Sequence, residues 1–411
     1  MAFKLTNDQN NTLTKFKNFL KDEAPYLIIN GSSGTGKSTL IGYLVEEAQK
    51  HYDYWGKEVI LTATTNPAVA VLEKLTGIPA QTIYSLLGLT IVPNYRTGEE
   101  DLVLSKKAQI AYDKVIIIDE SSMIKVELFE FIETRTRDCK IVFIGDWYQL
   151  APVGQLEVTM QSIPGEQALM NKIMRNSGII AEVGQQFRQT VEDGIFKPIP
   201  TGHPEILHVD GAGFQELIDK EFSNPDRDTN GAKILAYTNY TVLEYTKHIR
   251  GLLGHSLDLQ QGEVALTNKP ILNGGMRVSI DSPVVVTGII EEEYTDKESG
   301  IKGRIIELDG MYTSFHPLDT SEGVAYMKLL AKKKDWSGYF GVKNGWLDLR
   351  LPYASTVYKA QGSQYNKVFI DLSDIGDCTE ASTVARMMYV SITRSRKQVI
   401  LYDKLPAKYG G

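Results

Sequence analysis

The sequence is poor in cysteine and has no long apolar run. It contains 2 cysteines in 411 residues, too few for a disulfide framework or, on their own, for a zinc site. Its apolar runs fall short of a membrane span, and its N-terminus lacks the apolar core of a secretory signal. We therefore expect a soluble, cytoplasmic protein in a reducing setting, with no membrane partner.

An excess of positive charge is also missing. The chain has 44 Lys and Arg against 51 Asp and Glu, a net charge of −7, which counts against a protein that coats nucleic acid indiscriminately. The charge is uneven, however: residues 386–411 contain six basic residues and one acid, and residues 281–309 contain eight acids and three bases. A locally basic groove on an acidic body stays compatible with this balance.

One glycine-rich stretch, Gly31-Ser-Ser-Gly-Thr-Gly-Lys-Ser38, fits the phosphate-binding pattern G-x-x-x-x-G-K-[ST]. An apolar run precedes it and helically spaced apolar residues follow it, so it is predicted between a strand and a helix. Its glycines let backbone N–H groups approach phosphate oxygens, Lys37 would reach the β- and γ-phosphates, and Ser38 would bind Mg²⁺. The alternative is a Gly/Ser turn that matches by chance. The positions assigned to nucleotide binding are Gly31, Ser32, Ser33, Gly34, Thr35, Gly36, Lys37, Ser38 and Thr39.

An acidic pair follows the apolar run 115–118. Asp119 and Glu120 come where a phosphate-loop NTPase needs two carboxylates, one to hold Mg²⁺ and one to orient or deprotonate the attacking water. Alone, such a pair is weak support, but the upstream phosphate loop strengthens it. We assign Asp119 to the metal and Glu120 to the water.

The pattern of apolar runs predicts an α/β fold. Four runs, at 26–29, 59–63, 115–118 and 141–144, are short and apolar and end in polar loops, as in a doubly wound parallel sheet. A second set of strands is predicted near 233–238, 368–372 and 398–402. Residues 166–187 are predicted to be helical and 191–231 loosely structured, with Asn66 and Asn239 as helix N-caps.

Seven segments occur in the order of the motifs of superfamily 1 helicases. They are Gln9, Gly31–Ser38, Thr62–Ala70, Asp119–Ser122, Gly145–Val153, Ala354–Gly362 and Tyr389–Arg394. The residues of these segments resemble those of the RecD/Dda branch of these DNA helicases, and the compact length of the chain is most similar to the bacteriophage Dda type. The resemblance implies two RecA-like domains, at 1–88 with 110–170 and at 171–272 with 352–411. It also implies a pin hairpin at 89–109 and an SH3-like β-rich insertion at 273–351.

The resemblance also implies roles at the nucleotide, taken to be ATP. Gln9 would recognise adenine; the alternative is that it serves only as the capping-box partner of Thr6. Gln149 would sense the γ-phosphate, and Gly362 would lie near it. Arg394 and Arg175, from the second domain, would complete the site when the cleft closes; Arg188 is the alternative to Arg175.

Strand-binding residues are assigned from the same motif loops. Tyr358 stands where this branch usually has His, so its contact lacks the positive charge. Tyr95 is the aromatic residue near the centre of the hairpin that would split the duplex. The aromatic cluster near Trp336 suits either single-strand binding or the core of a small β domain. The full set comprises Thr64, Thr65, Asn66, Tyr84, Tyr95, Thr238, Asn239, Ser355, Thr356, Tyr358 and Lys359.

The leading prediction is an ATP-dependent DNA helicase that moves 5′→3′ on single-stranded DNA, with the polarity implied wholly by the resemblance. The alternative is a DNA-stimulated ATPase or protein-displacing translocase that does not unwind. RNA stays open as the nucleic acid, because no residue pattern here recognises a 2′-hydroxyl. The resemblance further implies single-stranded and forked DNA as partners, a single-strand-binding protein or replisome component, a monomer, and the host cytoplasm if the gene is phage-borne.

Overall fold

The computed structural model describes residues 5–55, 58–152, 154–155, 157–172, 174, 178–224, 231–256, 258–273 and 276–411. Up to residue 170 the chain alternates helices and strands. These elements are α1 (Asn7–Phe19), β1 (Tyr26–Gly31), α2 (Lys37–Trp55), β2 (Glu58–Ala63), α3 (Asn66–Thr76), β3 (Ala80–Thr82), α4 (Ile83–Leu86), β4 (Leu89–Pro93), β5 (Glu100–Leu104), β6 (Ala111–Tyr112), β7 (Lys114–Asp119), α5 (Val126–Arg135), β8 (Thr136–Arg137), β9 (Lys140–Gly145) and β10 (Glu166–Met170).

A parallel sheet of six strands, in the order β10-β1-β9-β7-β2-β3, organises this first part. Its four central strands are the four predicted apolar runs. The edge strand β10 lies in 166–187, so the prediction of helix there was wrong over its first five residues. Ala168 and Met170 are buried and their neighbour Leu169 is exposed, an alternation that pairing with β1 selects over a helix.

The next part of the chain begins a second parallel sheet. It contains α6 (Ile179–Asp193), β11 (Ile206–Val209), α7 (Gly211–Phe222), β12 (Ala232–Ala236) and α8 (Asn239–Leu252). The range 191–231 is therefore more ordered than predicted, because α7 buries Phe214, Ile218 and Phe222 against the sheet.

An antiparallel unit interrupts the second sheet. Its elements are β13 (Val264–Thr267), β14 (Ile271–Asn273), β15 (Met276–Val278), β16 (Pro283–Thr295), β17 (Lys302–Leu308), β18 (Tyr312–Pro317), α9 (Thr320–Lys332), α10 (Trp336–Gly345) and β19 (Leu349–Arg350). Five of the strands form one sheet in the order β18-β17-β16-β13-β19. This sheet starts at Val264, before the expected start at 273, and carries two helices that the sequence pattern did not reveal.

The chain then returns to complete the second sheet. The last elements are β20 (Ala354–Thr356), β21 (Tyr365–Asp371), α11 (Leu372–Gly376), α12 (Ala381–Thr393) and β22 (Ser395–Tyr402). The sheet is parallel, in the order β11-β22-β21-β12-β20. Among the helices of the described ranges, none combines the length and the apolar character needed to cross a bilayer.

Two helix starts differ from prediction by one residue. The N-cap of α3 is Thr65, whose hydroxyl accepts the N–H of Ala68 at 3.4 Å, and the N-cap of α8 is Thr238. Asn66 and Asn239 are instead the first residues inside these helices. Threonine and asparagine both cap helices, so sequence preference alone could not separate adjacent candidates.

Apolar side chains cover both faces of each parallel sheet. In the first sheet, Leu40 and Ile117 are buried on one face, and Phe143 and Leu128 on the other. Cys139 is buried, and its thiol donates to the carbonyl of Ala111 at 3.3 Å. Because both faces are packed, the loops at the strand ends are left to form sites, as in other open parallel sheets.

Candidate nucleotide and DNA sites

The phosphate loop lies between β1 and α2, where the sequence placed it. Gly34 and Gly36 both have φ +81°, the left-handed region that glycine enters without strain. The ammonium of Lys37 donates to the carbonyls of Gly31 at 2.5 Å and Ser32 at 3.2 Å. The lysine is thereby held over the loop whose N–H groups would meet phosphate oxygens.

Gln9 fills two roles in this structure. It completes the capping box, because its side-chain oxygen accepts the N–H of Thr6 at 2.9 Å and its own N–H reaches the Thr6 hydroxyl at 3.2 Å. Its amide nitrogen also donates to the carbonyls of Thr35 and Gly36, each at 3.3 Å. A methyl group on Gly36 would come 2.5 Å from this nitrogen. Gln9 therefore fixes α1 to the phosphate loop, and its amide would have to leave these partners to bind adenine.

The acidic pair lies at the end of β7. Asp119 is buried, and this burial, reinforced by the neighbouring Glu120, raises its pKa to about 7, while Lys37 opposes the shift. Glu120 has a left-handed backbone, φ 52°, unusual for a residue with a side chain. Its carbonyl accepts the hydroxyl of Thr64 at 3.2 Å, so the pair is linked to the loop after β2.

The loop after β9 presents a buried polar group from each of two residues. Asp146 accepts the N–H of Tyr148 at 3.1 Å and the side-chain amide of Gln149 at 3.4 Å. Gln149 is 3% exposed, and its side-chain oxygen has no hydrogen-bond partner among the described residues. A buried acceptor without a donor is costly, so this oxygen is suited to accept a hydrogen bond from a bound molecule.

A tyrosine on α12 connects the two sides of the cleft. Tyr389 donates its hydroxyl to Asp146 at 2.6 Å and accepts the backbone N–H of Ser33, in the phosphate loop, at 2.9 Å. Burial and the adjacent Asp146 raise the pKa of this phenol well above its usual value, so it stays protonated. The sequence motif contained this residue, but its role appears only in three dimensions.

The structure brings one of the predicted arginines to the phosphate loop. Arg394 is buried, and its guanidinium lies 3.5 Å from the Ser33 hydroxyl, so the structure brings it to the phosphate loop. Arg175 lies outside the described residues. Arg188 stacks over the ring of Tyr148 at 4.4 Å and donates to Asn171 at 2.9 Å.

Arg386 is a cleft residue that the sequence reasoning missed. It is buried, and it donates to the backbone carbonyls of Trp147 and Gln149, the latter at 2.7 Å. Burial lowers the pKa of its guanidinium, and Asp146 opposes this effect. The available signal was its spacing: Arg386 precedes Tyr389 by three residues and shares its helix face.

The strand-binding candidates of the first sheet lie in the loops after β2 and β3. The Thr64 hydroxyl is engaged with Glu120, whereas Thr65 and Asn66 are exposed at the start of α3. Tyr84 is half-buried on α4, and burial, followed by the nearby Glu127, raises its pKa.

The candidates of the second sheet are partly inaccessible here. Ser355 and Thr356 are buried on β20, and Tyr358 is half-buried. Lys359 is exposed, and its ammonium donates to the side-chain oxygen of Asn268 at 2.5 Å. Gly362 adopts φ +78° with open space beside it.

Two further candidates, Thr238 and Asn239, begin α8. The Thr238 hydroxyl is engaged with Asp374 and Thr241, at 2.8 and 3.0 Å. Asn239 and the following Tyr240 are exposed. Within this loop, the exposed groups are therefore the ones free to meet a strand.

The hairpin β4–β5 ends on the inserted unit. Tyr95 is 59% exposed, and its ring meets that of Phe340, on α10, edge-to-face at 5.5 Å. Gly98, with φ +80°, lies so close to Trp336 that a methyl group there would be 2.1 Å from the indole. Lys343 pairs with Glu100 at 2.9 Å. The aromatic cluster of α10 thus packs against the hairpin.

Known proteins with similar sequences include ATP-dependent DNA helicases. Residues 4–194 match the AAA domain family, and residues 351–402 match the UvrD-like helicase C-terminal domain. The ATP-dependent DNA helicase dda of Enterobacteria phage T4 is 26% identical, over 96% of this chain and 98% of that protein. By these matches the chain is similar to the superfamily 1 helicases of the Pif1, RecD and Dda branch.

Other similar proteins span most of the length of this chain. The ATP-dependent DNA helicase Pif1 of Bdellovibrio bacteriovorus is 22% identical, over 90% of this chain and 82% of that protein. A crystal structure of Pif1 helicase from Bacteroides in complex with ADP-AlF3 and ssDNA covers 99% of this chain and 94% of that one, with a TM-score of 0.53 at 16% identity. At that identity the match establishes the fold, with its two RecA-like domains.

Proposed function

We propose that this protein is an ATP-dependent DNA helicase that moves 5′→3′ along single-stranded DNA and unwinds duplex DNA. The observation that carries the proposal is the contact across the cleft. Tyr389 and Arg394, from the second parallel sheet, reach Ser33 in the phosphate loop of the first. A nucleotide bound there would lie against groups from both sheets, so its γ-phosphate can govern their separation.

The residues of the site fit Mg²⁺. Asp119 is a buried carboxylate next to a second carboxylate, and Ser38 lies in the first turn of the helix that follows the phosphate loop. Magnesium prefers oxygen ligands and is usually held by one or two protein groups together with substrate phosphates. In agreement, the described residues contain no cluster of three or more His, Cys, Asp or Glu that could hold a metal by itself. We assign Ser38 and Asp119 to Mg²⁺, whose charge would stabilise the developing phosphate negative charge.

The remaining groups have distinct tasks in hydrolysis. Glu120 would orient or deprotonate the attacking water, and the unpartnered oxygen of Gln149 would accept a hydrogen bond at the site. Lys37 would exchange its loop carbonyls for phosphate oxygens. Arg394 would add positive charge to the transition state once the cleft is closed, as arginine fingers do in related reactions.

The nucleotide site is joined directly to a strand-binding loop. The Thr64 hydroxyl donates to the carbonyl of Glu120, and Thr65 and Asn66 follow at the exposed start of α3. A helix start is suited to a backbone phosphate. A shift of the Glu120 backbone during the ATP cycle would therefore be transmitted through Thr64 to the adjoining residues that hold the strand.

The hairpin β4–β5 supplies the wedge. Its tip is packed against α10 through Tyr95 and Gly98, which restrains it against the force of an advancing duplex. A hairpin of two strands is marginally stable on its own. The contact with the inserted unit therefore favours unwinding over translocation without strand separation.

A strand-displacement assay tests activity and polarity together. We expect ATP-dependent unwinding of duplexes with a 5′ single-stranded tail and little unwinding of those with only a 3′ tail. Preference for the 3′ tail would contradict the polarity. Translocation without unwinding of either substrate would favour the alternative, a protein-displacing translocase.

The Lys37→Ala variant tests the nucleotide site. We expect loss of DNA-stimulated ATP hydrolysis, because the loop loses the cation that would bind the β- and γ-phosphates. Retention of stimulated hydrolysis would overturn the assignment. Lys172→Ala, at an exposed position, is a charge-matched control.

The proposal extends to partners. Because the phosphate loop and Arg394 lie on one chain, a single copy contains both sides of the site, and we propose a monomer acting on single-stranded and forked DNA. Sedimentation with a forked oligonucleotide would check this stoichiometry. A single-strand-binding protein or replisome component as partner, and action in the host cytoplasm, remain predictions from the family resemblance.

A further inference from the structure

Asp374, on the short helix α11, is held by donors from a different part of the second sheet. Its carboxylate accepts the backbone N–H groups of Tyr237 and Thr238, the latter at 2.9 Å. It also accepts the hydroxyls of Thr238 at 2.8 Å and Thr241 at 2.7 Å. All four donors belong to the loop and first turn at the start of α8.

The topology explains how one carboxylate reaches this loop. Strands β12 and β21 are parallel neighbours, so their carboxyl ends meet at the same edge of the sheet. The chain leaves β12 at Ala236 and enters α8, and it leaves β21 at Asp371 and enters α11. Asp371 caps α11 by accepting the N–H of Asp374 at 3.1 Å, and it accepts the hydroxyl of Tyr245, on α8, at 2.7 Å.

The environment makes these bonds strong. Asp374 is 7% exposed, and a carboxylate removed from water needs donors on both oxygens. Hydrogen bonds to a charged acceptor are roughly twice as strong as neutral ones. The four bonds therefore fix the backbone at 237–238 and the rotamer of Thr238.

These bonds occupy the Thr238 hydroxyl and leave the next two side chains of the loop exposed. The Thr238 hydroxyl donates to Asp374 and accepts the N–H of Thr241 at 3.1 Å, so both of its functions are used. Asn239 is exposed beside it, and Tyr240 is 72% exposed. The loop thus exposes a polar and an aromatic side chain, and its backbone is fixed by the buried carboxylate of Asp374.

We infer that Asp374 is a positioning residue for strand binding: it holds the 237–238 backbone so that Asn239 and Tyr240 face the nucleic acid. The inference rests on the proposed function, because it concerns the same DNA-stimulated ATPase. Asp374 itself is buried and bonded to protein groups, so it would act through the loop rather than by contact with the strand or the nucleotide. Its loss should therefore weaken the response to DNA and leave hydrolysis without DNA unchanged.

The test measures ATP hydrolysis against the concentration of oligo(dT), with and without DNA. For Asp374→Ala we expect the half-activating DNA concentration to rise about tenfold or more, since bonds to a charged group are lost. Turnover at saturating DNA and without DNA should stay close to wild type. For Asp374→Asn we expect a smaller rise, because the amide oxygen can still accept the two N–H groups while its nitrogen faces hydroxyls that can rotate.

Controls separate positioning from folding. Asp377→Ala removes an exposed carboxylate from the end of the same short helix and should leave the DNA response unchanged. If Asp374→Ala does not fold, Thr241→Val removes one of the four bonds and should raise the half-activating concentration, with Thr241→Ser restoring it.

The outcomes distinguish this inference from the proposed function. An unchanged half-activating concentration in the folded Asp374→Ala protein would overturn the inference, as would an equal loss of turnover with and without DNA. If wild-type hydrolysis does not respond to DNA at all, the proposed function fails first, independently of Asp374.

Discussion

Removal of one hydroxyl group, in Tyr389→Phe, tests how the two halves of the cleft are coupled. The hydroxyl joins the Ser33 N–H to the Asp146 carboxylate, at 2.9 and 2.6 Å. The substitution keeps the ring and its packing. It leaves Asp146 with the weaker bonds from Tyr148 and Gln149, at 3.1 and 3.4 Å.

The magnitude follows from the kind of bond lost. A hydrogen bond to a charged group contributes about 1.5–3 kcal/mol. If this amount is lost only from the closed cleft, the closed population falls by a factor of about ten to one hundred, at about 1.4 kcal/mol per tenfold. Since Arg394 reaches the phosphate loop only from the second sheet, turnover should fall by up to the same factor.

The assay is steady-state ATP hydrolysis at saturating oligo(dT), with thermal unfolding measured alongside. The matched control is Tyr409→Phe, because Tyr409 is also buried and donates to the carbonyls of Cys378 and Thr379, each at 3.0 Å, away from the cleft. We expect both variants to lose some thermal stability but only Tyr389→Phe to lose turnover. Equal turnover in the two variants would refute the coupling role.

Three further predictions concern the hairpin, the catalytic carboxylate and acid stability. Gly98→Ala places a methyl group 2.1 Å from Trp336 at φ +80°, so strand displacement should fall while DNA-stimulated hydrolysis persists; equal unwinding by the variant would count against the wedge. Glu120→Gln should slow hydrolysis by about 100-fold or more while a fluorescent ATP analogue still binds; near-normal turnover would remove Glu120 from the reaction. Burial lowers the pKa of His316 from 6.5 to about 4. Between these two pH values the folded state binds fewer protons than the unfolded state. The free energy of unfolding therefore decreases as the pH is lowered from 6.5 to 4, by up to about 3 kcal/mol. Urea unfolding at pH 7 and 4.5 should show a smaller loss for His316→Gln than for wild type, and equal losses would exclude His316 as a source of the effect.

The nucleotide half of the protein was predictable from the sequence because it depends on local chemistry. The stretch 31–38 has its strand before it and its helix after it, and Asp119 follows the predicted strand β7. Glycine at positive φ and hydroxyl caps act within a few residues, so their pattern survives in one dimension. The predicted strands at the centre of each sheet were also confirmed, because a short apolar run is likewise a local pattern.

The predictions failed where a distant partner decides the structure. Residues 166–170 form a strand because β1 offers an open edge, and the inserted sheet begins at Val264 because that segment pairs with β16. Neither partner is close in sequence. Periodicity over such short segments therefore could not select the correct element.

The sequence by itself was enough to predict a nucleotide site at 31–38 with carboxylates at 119 and 120, because the groups of each motif are neighbours along the chain. Only the tertiary structure decided what joins that site to the rest. Tyr389, Arg386 and Asp374 act across gaps of more than a hundred residues, through hydrogen bonds of 3 Å or less. For Tyr389 and Arg386 such bonds exist only after two parallel sheets bring their loop edges together, and for Asp374 only after two loops of one sheet meet. The sequence alone therefore did not show these contacts.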